Sequence, residues 1–172
     1  AGELVETSVD NGDGTFTYNV PVREGYTWSD GSPITANDWE FTFDTVKSLS
    51  LGGNFLSSYP YSCEDEEGTA KNCVVSVVAS DDYTVSITFN YDPGLSTWQY
   101  GTAQGIAFSK AYWEQYATDK ETLYAHDATN APVASAFVYD KLEQGAFYTW
   151  KYDANTMWYG GTTTIYDGGG TS

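Results

Sequence analysis

Residues able to carry chemistry are few in this chain of 172 residues: two cysteines, a single histidine and several runs of acids. Cys63 and Cys73 flank the polar segment Glu64 to Asn72, in which Gly68 lets the chain turn back on itself. Closing that loop as a disulfide would stabilise the fold by roughly 2 to 3 kcal/mol and would point to an oxidising, extracytoplasmic compartment. Two free thiols in a cytosolic protein are the competing reading. A zinc site fails on ligand count, because His126 and two distant cysteines do not complete a tetrahedral donor set. His126 lies in the polar run His126-Asp127-Ala128-Thr129-Asn130, with no nucleophile motif such as G-x-S-x-G, and reads as a solvated loop histidine. The acids Glu64-Asp65-Glu66-Glu67 point in different directions, as on a solvated loop. Carboxylate pairs for glycoside hydrolysis depend on spatial distance, and nothing in the sequence indicates one. Asp10-Asn11-Gly12-Asp13-Gly14 looks like half of a calcium loop, but its first ligand position falls on Val9 and its twelfth on Val20, where a bidentate Glu is required. With no nucleophile and base, no metal set and no phosphate loop, the expectation is a protein without catalytic residues, metal or cofactor, and not an enzyme.

The elements that would position any site follow from periodicity. Leu4 to Val9 and Thr15 to Val22 alternate, with Phe16, Tyr18 and Val20 on one face, so the turn formers between them predict a β-hairpin. Gly25 to Pro33 reads as a loop in which Asp30-Gly31 makes the turn and Trp28 anchors to the core. Thr35 is a natural N-cap, and Asp38 three residues on can return a capping-box bond. Ala36, Trp39, Phe43, Val46 and Leu49 share one face, predicting an amphipathic helix from Thr35 to about Leu49 that ends at Gly52-Gly53. Val74 to Ala79 and Tyr83 to Asn90 predict a second hairpin, with Tyr83, Val85, Ile87 and Phe89 turned inward. Asp92 to Phe108 is irregular; Ser109 then caps a short helix through about Ala117, and Asp119 opens another through Tyr124. Phe137 to Glu143 and Phe147 to Asp153, joined by Gln144-Gly145, predict a last hairpin before a Gly- and Thr-rich tail. Local hairpins without a βαβ rhythm predict an α+β class, an antiparallel β-sheet with flanking helices, in a single domain over residues 1–172.

Composition narrows the partners. The formal charge of −17, from 24 acids against 7 basic residues, would repel phosphates and excludes nucleic acid. At 41% hydrophobic and 17% aromatic the chain has material for a packed core and is not disordered. No stretch reaches the roughly 18 to 20 apolar residues of a membrane-spanning helix. The start, Ala1-Gly2-Glu3-Leu4, lacks signal-peptide character, so any export signal or lipid anchor is expected to have been removed or to lie outside the chain.

Three stretches carry a family resemblance. The first is Arg23-Glu24-Gly25, then Trp28-Ser29-Asp30-Gly31, Pro33, and Thr35-Ala36-Asn37-Asp38 opening a helix with Phe41. The second is Asp81-Asp82-Tyr83 followed by a strand to Phe89, and the third is Asn155 through Trp158-Tyr159-Gly160-Gly161. In that order they resemble the extracellular solute-binding proteins of family 5, the peptide- and nickel-type substrate-binding components of ABC transporters. A departure lies at Ala134-Ser135-Ala136-Phe137-Val138, where such proteins usually carry a Gly-Thr-Gly-Pro-Tyr-like motif. The resemblance implies part of lobe I of a two-lobed, type II periplasmic-binding-protein-like fold. It also implies a protein that captures a peptide, or another small solute such as nickel or a sugar, and delivers it to an ABC permease by hinge closure. Without the second lobe this fragment would hold solute weakly or not at all. A monomer on the cell surface as a lipoprotein, or in the periplasm, is expected. Trp98, Tyr100 and Gly101, in the irregular segment between a strand and a helix, are the candidate ligand-facing residues, with plain packing as their alternative role. Trp28, Asp30, Gly31, Thr35 and Asp38 are read as structural. The rival from another class is a secreted carbohydrate-binding module using its 6 Trp and 15 Tyr as stacking platforms; a surface adhesion domain, suggested by the Gly/Thr-rich end, is the third reading.

Overall fold

The alternation of Phe16, Tyr18 and Val20 sets the strand on which the fold is built. The computed structural model describes residues 8–94, 105–143 and 145–153, together with the backbone of 166–167 and 170–171. In it β1 (Val9–Asp10), β2 (Phe16–Pro21), β3 (Val74–Asp81) and β4 (Thr84–Phe89) form one antiparallel sheet in the order β1-β2-β4-β3. Both expected hairpins are present, and they are joined to each other by the pairing of β2 with β4, which sets Tyr18 opposite Ile87 and Val20 opposite Val85. The sequence reading began the first hairpin at Leu4; Leu4 to Thr7 lie outside the described residues, and β1 is described from Val9. Aspartates build both turns: Asp10 Oδ1 accepts from the Gly12 amide at 2.9 Å, and Asp81 Oδ1 from the Tyr83 amide at 2.8 Å.

Helix α1 (Ala36–Ser48) starts where its sequence dictates, after the N-cap Thr35. Its buried face, Ala36 and Phe43, packs on the sheet against Tyr18, Val77, Val85, Ile87 and Phe89, with Tyr59 closing the core. Burying each of the large apolar side chains contributes about 1.5 to 3 kcal/mol. The C-terminus corrects the sequence reading, which placed the stop at Gly52-Gly53. The Leu51 amide donates to the Val46 carbonyl at 2.9 Å and the Ser50 amide to the Lys47 carbonyl at 3.3 Å, the paired bonds of a Schellman motif. Ser50 occupies the left-handed position at φ 51°, where glycine is usual. The apolar contact that accompanies this motif is present too, since Val46 and Leu51 share a second buried cluster with Leu123.

Gly53, at φ 63°, then opens the short α2 (Asn54–Ser58). Cys63 and Cys73 are joined by a disulfide of 2.04 Å, which ties the exposed acidic loop to the start of β3. Two short helices follow, α3 (Lys110–Trp113) and α4 (Lys120–Ala125), and then a 3-10 turn at Ala128–Asn130. Asp119 caps α4 as its sequence suggests, its Oδ1 accepting from the Thr122 amide at 2.8 Å. Ser109 does not cap α3 with its side chain; its hydroxyl is buried with no partner among the described residues, and its carbonyl serves the helix, taking the Tyr112 and Trp113 amides. The last hairpin pairs β5 (Phe137–Glu143) with β6 (Phe147–Tyr152) as a separate two-stranded sheet. The backbones of β7 (Tyr166–Asp167) and β8 (Gly170–Thr171) pair as another. The class is α+β with antiparallel sheet and flanking helices, as the sequence implies.

Candidate functional site

Asp38 is the point at which three segments of chain meet. It is 4% exposed, and its carboxylate accepts three hydrogen bonds. The Thr35 amide donates to Oδ2 at 2.9 Å, the strong half of a capping box whose other half brings the Asp38 amide back to Thr35. The indole N–H of Trp28 donates to the same oxygen at 3.2 Å, and the Lys110 amide donates to Oδ1 at 2.8 Å. A carboxylate only accepts, so three converging donors suit it and would leave an alanine with nothing to offer. One turn on, the Thr42 hydroxyl donates to the Asp38 carbonyl at 2.6 Å and accepts from the Phe108 amide at 2.7 Å. Asp38 and Thr42 therefore fasten residues 108–110 to the first half of α1.

Trp28 is held from both ends. Its own backbone closes the turn that the sequence predicts at Asp30-Gly31: the Trp28 amide donates to the Ser32 carbonyl at 2.8 Å and the Gly31 amide to the Trp28 carbonyl at 2.9 Å. Gly31 sits at φ 86°, which a side chain would oppose. Asp30 Oδ1 takes both the amide and the hydroxyl of Ser32, at 2.9 and 2.6 Å. Ser29 then reaches across to Val133, with one bond from the Ser29 amide to the Val133 carbonyl at 2.9 Å and one from the Val133 amide to Ser29 Oγ at 3.0 Å.

These bonds fix the walls of a cleft of about 510 Å³, within the roughly 300 to 1,000 Å³ of small-ligand sites. It is lined by Val20 of β2 and Val22 just beyond it, Val85 and Ile87 of β4, Tyr26, Trp28 and Ile34 of the loop before α1, Trp39 of α1, and Ala107 with Pro132 to Ala134. Trp28 is 7% exposed and gives its single polar atom to Asp38, so carbon is what it presents to the cleft. Arg23 is the one charged residue among those lining it.

The structure thus brings together Trp28, Thr35 and Asp38, and places Asp30 and Gly31 in the turn that orients Trp28. Trp98, Tyr100 and Gly101, the expected ligand-facing residues, lie outside the described residues. Sequence reasoning did not find the cleft: it assigned Trp39 to the core stripe, and Trp39 does pack against the core, but it is half-buried and lines the cavity as well. His126 also departs from expectation. Rather than a solvated loop residue it is half-buried, stacked on Tyr116 with ring centroids 3.6 Å apart and within 3.0 Å of the Tyr112 hydroxyl. Burial raises the Tyr112 hydroxyl above its ordinary pKa, with Tyr116 and Asp127 adding to the shift. The four- and ten-residue steps from Tyr112 to Tyr116 and Tyr116 to His126 carried no signal that these rings would meet. Among the described residues no group of three or more His, Cys, Asp or Glu could hold a metal ion.

Comparison with known proteins gives this geometry its context. Residues 2–168 match the bacterial extracellular solute-binding proteins, family 5 Middle. The dipeptide-binding protein DppE of Bacillus subtilis is 32% identical over 75 residues, which are 42% of this chain and 14% of that protein. Among solved structures, the oligopeptide-binding protein AppA of Bacillus subtilis, in complex with a nonapeptide, superposes at a TM-score of 0.58 and 17% identity, covering 90% of this chain and 28% of that one. The periplasmic oligopeptide-binding protein of Thermotoga maritima with mannohexaose bound gives 0.59 at 19% identity, covering 88% and 25%. The chain therefore spans under a third of the relatives it matches, and its fold is that of part of a type II periplasmic binding protein. Because the match runs through nearly all of its residues, the chain belongs to the family 5 extracellular solute-binding proteins.

Proposed function

We propose that this chain is a single domain, a partial first lobe, of the solute-binding component of an ABC importer that captures peptides or similar small solutes outside the cytoplasm and delivers them to a membrane permease. The observation that carries the reading is the match over residues 2–168 together with the rigid, apolar cleft that the matched Trp28 and Asp38 hold open. Trp98, Tyr100 and Gly101 are proposed to face solute; what supports this is that Ala107, a few residues further along the chain, lines the cleft and that residues 108–110 are fixed to α1 by Asp38 and Thr42. Closure of the second lobe over the solute supplies the remaining contacts and the exclusion of water. The protein works as a monomer, as a surface lipoprotein or in the periplasm, and performs no chemistry on its solute. The Cys63–Cys73 disulfide supports an extracytoplasmic location. Calorimetric titration of the full-length protein with a defined peptide pool tests this: peptides should bind at micromolar concentration or below, and a protein that binds no peptide, or cleaves it, would end the reading.

A second reading, carbohydrate binding, has its own observation. Phe137, Tyr148, Trp150 and Tyr152 of the last hairpin are 50 to 65% exposed, and Tyr139 packs edge-on to Trp150 with centroids 6.0 Å apart. Such a ladder can stack on sugar rings. Oligosaccharides belong in the same titration, and binding that is lost in Trp150→Ala would favour this reading.

A further inference from the structure

We propose that the cleft beside Trp28 is a subsite for an apolar solute bearing a free carboxylate, with Arg23 as the counter-ion; the inference rests on the reading that this protein captures small solutes. The charge on the wall is the reverse of the charge on the molecule. The chain has 24 acidic and 7 basic residues, yet among the described residues the cleft wall carries one basic residue, Arg23, and none of the acids. Arg23 is exposed and makes no hydrogen bond or ion pair among the described residues. Its planar fork can therefore meet a carboxylate with two parallel bonds at no cost in existing partners. Acids more than about 8 Å away are largely screened at physiological salt, which leaves Glu24, the next residue and also exposed, as the acid adjacent in the chain that the guanidinium must outweigh.

The rest of the wall selects against other solutes. Trp28 spends its indole N–H on Asp38, and Val20, Val22 and Ile34 offer carbon, so the polar side-chain atoms besides Arg23 are those of Tyr26 and Trp39. A sugar, which needs several hydrogen-bond partners, would leave most of its hydroxyls unsatisfied against such a wall. A cation would meet Arg23 and no acid. An apolar amino acid, or the apolar C-terminal residue of a peptide, satisfies both features: its side chain lies against the aliphatic residues and its carboxylate meets the guanidinium.

The probe is the tripeptide Gly-Leu-Leu as free acid and as C-terminal amide, titrated by calorimetry into this chain and into the full-length protein, each as wild type, Arg23→Gln and Arg23→Lys. Arg23 is exposed, so its variants should fold, and circular dichroism checks this. The acid should bind on the order of tenfold more tightly than the amide, as expected for a charge-assisted hydrogen-bonded pair. Arg23→Gln should abolish that preference, and Arg23→Lys should keep part of it. Equal binding of acid and amide, an unchanged preference in Arg23→Gln, or no binding to either wild-type protein would overturn the inference. If the full-length protein binds other peptides regardless of Arg23, the subsite fails while the proposed function stands; if it binds no peptide, the proposed function fails as well.

Discussion

Asp38→Ala is the sharpest perturbation of the site. The substitution removes an acceptor for three donors, the Thr35 and Lys110 amides and the Trp28 indole, and leaves all three in a place where Asp38 itself is 4% exposed. A hydrogen bond to a charged group contributes about 1.5 to 3 kcal/mol, and an orphaned buried donor costs a similar amount. The three share one carboxylate and will not add in full, so a loss of about 4 kcal/mol is expected. For a chain of this size that corresponds to a fall in Tm of about 10 °C, a large part of the roughly 5 to 15 kcal/mol that holds a typical domain together. Urea unfolding followed by tryptophan fluorescence reads the effect, with an unchanged m value as the check that stability alone has altered. Asp30→Ala is the control: it sits on the loop that carries Trp28 but holds only Ser32, so about 1 kcal/mol is expected. An Asp38→Ala loss below 1 kcal/mol, or one matched by Asp30→Ala, would refute the reasoning that Asp38 is the shared anchor of loop, helix and residues 108–110.

Ser50→Gly should stabilise by about 1 kcal/mol, read as a higher urea midpoint, because Ser50 holds the left-handed turn after α1 at φ 51°; a neutral or negative effect would mean the position carries no strain. Replacing Cys63 and Cys73 together by Ser should cost roughly 2 to 3 kcal/mol for a sequence separation of 10, and dithiothreitol should weaken the wild type by the same amount while leaving the double variant unaltered. Burial pushes the Tyr59 hydroxyl above its ordinary value of 10.0. Its proton is thus kept in the folded state after the unfolded chain has lost it, so stability is full below pH ~10 and falls by about 1.4 kcal/mol per pH unit above it. Tyr59→Phe should flatten that alkaline decline in urea midpoints, and an unchanged slope would assign it to another group.

How much of this was legible in the sequence depended on whether the governing interaction was local. Thr35, Asp38 and the three- and four-residue steps of α1 act within a turn or two of each other, so cap and buried face were readable from spacing. The same holds for Asp30-Gly31 and for Asp119, whose side chains serve amides two or three residues away. The disulfide was readable because the loop between Cys63 and Cys73 is short. What spacing could not show were the partners brought in from far along the chain. That Asp38 also takes the Lys110 amide, that Ser29 is tied to Val133, and that β2 pairs with β4 are facts of tertiary structure. The cleft is made from such meetings of distant segments, which is why spacing put Trp39 on the buried stripe without showing that it also lines a cavity. The helix stop was misread for a different reason: Gly52-Gly53 offered the usual breaker, but the αL position fell on Ser50, where a serine tolerates strain that the Val46 and Leu51 contact offsets.

The most direct test of the account is to purify the full-length protein without refolding and identify any solute it carries by native mass spectrometry, followed by titration with that solute. The account predicts a stoichiometric small solute, a peptide with an apolar C-terminal residue, released on unfolding and rebound on titration. A protein that carries only oligosaccharide, or that neither carries nor rebinds any peptide, would contradict it.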